Sequence, residues 1–156
     1  MTYSPNEAFS TPAYEATAVN YAPWLSRVGN YLIDGLVTAP FAVLAVLFGR
    51  GTDAETGQPT ITALYWVFLL LGFALSGYNR WYLGGKTGQS WGRKALGIRV
   101  VGESTGQPIG VGMAFARDLA HIVDSIICNI GYLFPLWDAK KQTLADKITT
   151  TIVVAA

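Results

Sequence analysis

A chain of 156 residues with a net charge of +1 has room for one domain and offers no strongly basic surface for nucleic acid. Hydrophobic residues make up 51% of it and charged residues only 13%, about half the charged share usual in soluble domains. With a mean hydropathy of +0.33, this disfavours an ordinary water-soluble fold, whose large surface-to-volume ratio at this size demands polar cover that a bilayer does not. The single cysteine, Cys128, excludes an intrachain disulfide and any multi-cysteine metal site.

Residues 1–22 hold Pro5 and Pro12 among Ser, Thr, Glu and Tyr, with no Lys, no Arg and no apolar core of a signal peptide. They read as a disordered cytoplasmic tail. Tyr3, Tyr14 and Tyr21 are its candidate partner contacts. Residues 23–156 read as the membrane domain.

The first apolar helix is expected from Trp24 to Phe48, with Trp24 as an interfacial anchor and Pro40 inside it. A polar, Gly- and Pro-containing loop over 49–60 separates it from a charge-free, aromatic second helix over 61–78. Both are apolar all round rather than striped, which separates them from a soluble helical hairpin. The loop carries one basic residue, Arg50. The segment 79–110 carries five: Arg80, Lys86, Arg93, Lys94 and Arg99. Short basic segments stay in the cytoplasm, so both termini are expected there.

Within 79–110, Ser90 is placed to N-cap a short basic helix containing Trp91, Arg93 and Lys94 at the headgroups. The β-branched runs 98–101 and 149–154 are expected to pair as a small cytoplasmic ribbon. The third apolar stretch, 111–137, has basic residues on both flanks. It contains Arg117, Asp118, His121 and Asp124, with Asn129, Gly131 and Pro135 as breakers. It reads as two short helices in a re-entrant or interfacial hairpin, with a third span as the alternative. The fold class is thus an all-α membrane protein: two transmembrane helices, the hairpin or third span, and a two-stranded β ribbon.

Charges inside membrane helices cost roughly 2.5–3.5 kcal/mol each on insertion scales and therefore seek partners. Arg27 and Asp34 stand seven residues apart, about 10 Å along a helix, as do Arg117 and Asp124. The shared spacing suggests crossed pairs, Arg27 with Asp124 and Arg117 with Asp34. A proton relay through Asp34, His121 and Asp124 is the competing reading. One His and one Cys beside an Arg make a poor metal site, and none is expected. No Walker loop, GxSxG or HExxH occurs, so no catalytic residues and no cofactor are expected.

Four blocks in order, SRVGNYLIDGLV, TGQSWGRKALGIRVV, ARDLAHIVDS and LWDAKKQTLADKITTTIVV, resemble the RDD family of bacterial membrane proteins. By that resemblance Arg27 and Asp34 match the family's Arg and first Asp. Asp146 in the closing TLAD matches the second, with Asp124 as its rival. Ala145 stands where members often have His. The resemblance implies a multi-pass protein of the bacterial cytoplasmic membrane. Small size favours a non-enzymatic accessory or assembly subunit, partnered by the bilayer and by other membrane subunits or itself. The alternative is a homo-oligomeric transporter, for instance of ions coupled to protons.

Overall fold

The computed structural model describes residues 19–156; the expectations for Tyr3, Tyr14 and the rest of 1–18 lie outside the described residues. Helix α1, Trp24–Phe48, has 25 residues and at 1.5 Å per residue reaches about 37 Å, more than the ~30 Å apolar thickness of a bilayer. Among the described residues it is the only single helix long and apolar enough to cross a membrane. Helix α2, Ala63–Gly77, has 15 residues and by itself falls short of the second span expected over 61–78. It runs directly into a π-helical turn, Tyr78–Leu83, and a short α3, Gly84–Thr87. Phe41 packs on Gly72 and Gly49 on Tyr65, while Asp34 bonds Asn79. Those positions ascend in one helix as they descend in the other, so the two are antiparallel.

The connection between them is more ordered than a plain loop. Strands β1, Arg50–Thr52, and β2, Pro59–Ile61, pair antiparallel. Asp53 Oδ1 closes the tip by accepting from the Glu55 and Thr56 amides at 3.1 and 2.8 Å. This local Asx-type turn has its signal in the TDAETG stretch.

Helix α4, Trp91–Ala95, leads into β3, Ile98–Gly102, which pairs antiparallel with β4, Thr151–Ala155. This is the expected ribbon. Residues 20–22, expected to belong to the free tail, lie along β4 instead. Tyr21 bridges Val154, the Ala22 amide donates to Val153 O at 2.9 Å, and the Ala155 amide donates to Asn20 O at 3.0 Å. The reason is that Ala22 completes a small apolar core with Ile98, Val100 and Val153, with Ile109 packed against it.

The third stretch is bent, as two short helices require. Helix α5, Val111–Ile126, and a 3-10 helix, Ile130–Leu136, meet at 101°. Cys128 and Asn129 between them have φ of 56° and 62°, a left-handed reversal that no continuous helix tolerates. Helix α6, Leu144–Ile148, follows and delivers the chain to β4.

Burial is inverted relative to a soluble protein. Asp34, Asn79, Arg93, Arg117, Asp124 and Asp146 are buried, while Leu36, Leu47, Leu70 and Phe73 stand exposed. Apolar outer faces with satisfied polar interiors suit a lipid solvent.

Removing 151–156 strips β3 of its partner and exposes Ile98, Val100 and Ala22. Burying an aliphatic side chain contributes about 1.5–3 kcal/mol, so the truncated protein should melt several degrees lower in detergent. An unchanged melting temperature would show that the ribbon contributes nothing to stability.

Candidate functional site

Three carboxylates organise the polar interior. Asp34 lies mid-way along α1. Asn79 Nδ2 donates to its Oδ1 at 2.8 Å, the Gly92 amide donates to the same oxygen at 2.8 Å, and Ser90 Oγ donates to Oδ2 at 2.6 Å. Ser90 is also the N-cap of α4, its Oγ accepting from the Arg93 amide at 3.3 Å. Asn79 Oδ1 accepts from the Trp91 amide at 2.8 Å. A membrane-helix carboxylate is thus satisfied by the start of a surface helix rather than by a cation. The approach is close: a Cβ on Gly92 would fall 2.4 Å from Asn30 O and 3.0 Å from Asp34 Oδ1. Only glycine lets α4 seat on α1 here.

Asp146, at the third position of α6, is fully buried. Its Oδ2 accepts from Arg27 Nη1 at 2.5 Å and the Thr143 amide at 3.1 Å. Its Oδ1 accepts from Arg117 Nε at 2.8 Å and Arg117 Nη2 at 2.6 Å. Thr143 Oγ1 returns a bond from the Asp146 amide, completing a capping box. Burial by itself would raise the pKa of Asp146. The adjacent Arg117 and Arg27 charges and the hydrogen bonds outweigh it and hold the carboxyl well below the usual carboxylate range.

The crossed pairs expected from the spacing are therefore incorrect: Arg27 and Arg117 share Asp146, and among the described residues neither Asp124 nor Asp34 pairs with an arginine. Asp124 accepts from His121 at 2.6 Å and from the Leu144 and Ala145 amides at 3.1 and 3.4 Å. It anchors the opening turn of α6. Placing Arg27 and Asp34 two turns apart on α1 sends them to different layers, so equal spacing in α5 could not match them. The three-member relay is likewise split, since among the described residues no hydrogen bond joins Asp34 to His121 or Asp124. His121 and Asp124 do meet; their ring–carboxylate contact is packed under Tyr132, stacked on His121 at 5.3 Å.

Asp118 takes Arg80 Nη2 at 2.8 Å and Trp81 Nε1 at 2.9 Å. Asn79, Arg80 and Trp81 all sit in the π-helical turn, whose extra residue per turn redirects side chains. Their roles were not read from the sequence; the available signal was a polar pair, Asn79–Arg80, closing an apolar run. Arg93, expected at the headgroups as a surface cation, is buried. Burial, with the like charges of Arg117 and Arg80, lowers its pKa to about 9, so it remains cationic at neutral pH. Arg27, Arg80, Arg93 and Arg117 all line one cavity of about 630 Å³. Among the described residues there is no group of three or more His, Cys, Asp and Glu that could hold a metal. Cys128 is exposed.

The model of the RDD family matches residues 21–150. The chain is 41% identical to a Mycobacterium tuberculosis protein called proline-rich antigen homolog, over 86% of this chain and 63% of the relative. It is 40% identical to the proline-rich antigen of Mycobacterium leprae, over 85% and 60%. It therefore spans less than two thirds of the length of these curated relatives. No solved structure matches it.

Asp146→Asn leaves two buried guanidiniums without their counter-charge, at a cost of about 3–5 kcal/mol. A double-mutant cycle of Asp146→Asn with Arg27→Ala should show coupling of about 0.5–3 kcal/mol, whereas Asp124→Asn with Arg27→Ala should be near additive. The pH response has a definite sign. A carboxylate whose folded pKa is depressed stabilises fully above its unfolded pKa of about 4 and loses that contribution as pH falls toward the folded value. Wild-type melting temperature should fall below about pH 4, and Asp146→Asn should fall less over the same window. Parallel pH profiles, or strict additivity with Arg27, would refute this assignment.

Proposed function

This chain belongs to the RDD family, and on that premise we propose that it is a non-enzymatic membrane subunit that assembles with other integral membrane proteins. The observation that carries this reading is the saturation of its buried carboxylates Asp34 and Asp146. Asp34 has three donors, and Asp146 has two arginines and a backbone amide. Carboxylates filled by their own chain organise structure; a proton carrier needs a lone pair that opens to a pathway. Outside that interior, Trp66, Leu70 and Phe73 form an exposed stripe on α2, spaced as one helix face is. Lipid covers such a stripe equally well, but the short α2 has little hydrophobic length of its own, which favours a partner helix.

The same reading puts the chain in the bacterial cytoplasmic membrane with both termini inside. Residues 20–22, 98–102 and 151–155 share one ribbon, so they lie on one side of any bilayer. Arg93, Lys94 and Arg99 adjoin them, and basic residues mark the cytoplasmic side. The β1–β2 hairpin, at the far end of α1 and α2, is then external. In a Cys128→Ser background, a cysteine at Thr56 should label from outside the cell and one at Lys141 only after permeabilisation. External labelling at Lys141 would reverse the orientation.

Transport is the second reading, favoured by one observation: His121 and Asp118 line the cavity. A photo-cross-linker at Leu70, activated in native membranes, should yield a discrete adduct with another membrane protein. Adducts with lipid or with itself alone, together with proton-coupled flux in proteoliposomes that Asp118→Asn abolishes at full thermal stability, would establish transport instead.

A further inference from the structure

The cavity wall is electrostatically lopsided. Four arginines line it, Arg27, Arg80, Arg93 and Arg117, against one acidic residue, Asp118. Asp118 is occupied by Arg80 and Trp81. Asp146 lies outside the lining and is occupied by Arg27 and Arg117. After these pairs are made, donors remain. Arg27 Nε, Arg27 Nη2 and Arg80 Nε are buried without a hydrogen-bond partner. Arg93 is only 7% exposed, and among the described residues no acceptor bonds its guanidinium. Its seat is made by the absence of a side chain: a Cβ on Gly84 would fall 2.9 Å from Arg93 Nη1. A buried guanidinium without an acceptor is expensive. Burying it among three others, in a cavity whose acids are already committed, is tolerable if an anion completes the set.

We propose that this cavity binds a phosphate group, with Arg93 as its principal ligand and the positive charges of Arg27, Arg80 and Arg117 around it. Guanidiniums present planar forks that match phosphate oxygens and bind them bidentately. The volume lies within the roughly 300–1,000 Å³ of small-molecule sites and exceeds what a lone phosphate fills. Trp24, Val28 and Ile122 supply an apolar wall for whatever the phosphate carries. A phospholipid headgroup and a soluble phosphate share this chemistry. The inference goes beyond the assembly role and does not depend on it, since a subunit or a transporter could hold such an anion.

The test uses the full chain purified in a neutral detergent at constant ionic strength, with thermal melting as the readout. Titration with inorganic phosphate, and separately with dihexanoyl phosphatidylglycerol, should raise the melting temperature saturably, with chloride and dihexanoyl phosphatidylcholine as controls. Arg93→Gln should weaken the binding roughly tenfold or more. Stabilisation by both ligands assigns a site open to free phosphate, and stabilisation by the anionic lipid alone assigns a headgroup site. A response to neither, or an equal response in Arg93→Gln, overturns the proposal. If Arg93→Gln does not fold, phenylglyoxal modification of the wild-type protein reads the same contact. Phosphate or the anionic lipid should protect Arg93 from modification, and lack of protection by both overturns it.

Discussion

One carboxylate, Asp146, receives two arginines from different helices, Arg27 of α1 and Arg117 of α5, and the rest of the structure is arranged around that junction. It sits in the first turn of α6, so its capping box fixes the helix that feeds β4, and Thr151 Oγ1 reaches it from β4 itself at 3.3 Å. Four elements are thus tied at a point with no exposure to solvent. In a bilayer the apolar effect does not hold helices together, because lipid is as apolar as the side chains. Buried charge with good geometry then decides which helix sits where, and removing one partner costs far more than the pair contributes over an apolar replacement.

Asp34 solves a related problem by different means. It has no cation. Its oxygens are filled by an amide side chain, a hydroxyl and a backbone N–H, all brought by the segment after α2. The π-helical turn at 78–83 positions Asn79 for this and Arg80 and Trp81 for Asp118. A single irregular turn therefore links α1, α4 and α5. Gly92 permits the contact because α4 approaches the α1 backbone too closely for any Cβ.

These two junctions leave the cavity between them. Its walls include the paired Arg27, Arg80 and Arg117, while Arg93, also in the lining, has no acceptor for its guanidinium among the described residues. Apolar outer faces and an arginine-lined cavity suit a protein that holds an anion or a partner in place.

Much of the architecture was legible in the sequence. The charge-free later part of α1, the β-branched runs 98–101 and 149–154, the Ser90 cap and the breakers that split 111–137 are local properties, and each element forms where its local chemistry favours it. Arg27, Asp34, Arg117 and Asp124 were identifiable because a charge in an apolar helix needs a reason; Asp146 was singled out by the resemblance to the RDD family alone. Their partners were not identifiable. Equal seven-residue spacing suggested Arg27 with Asp124 and Arg117 with Asp34, but spacing gives position along a helix and says nothing of how deep each helix sits against its neighbour. That offset is set by the π-helical turn, the 101° bend at Cys128 and Asn129, and the return of residues 20–22 onto β4. The existence of the bend is local, but its angle, the turn's side-chain directions and the return of 20–22 depend on long-range packing. Only the tertiary structure could therefore decide that Asp146 takes both arginines, that Asp34 takes none, and that Arg93 turns inward.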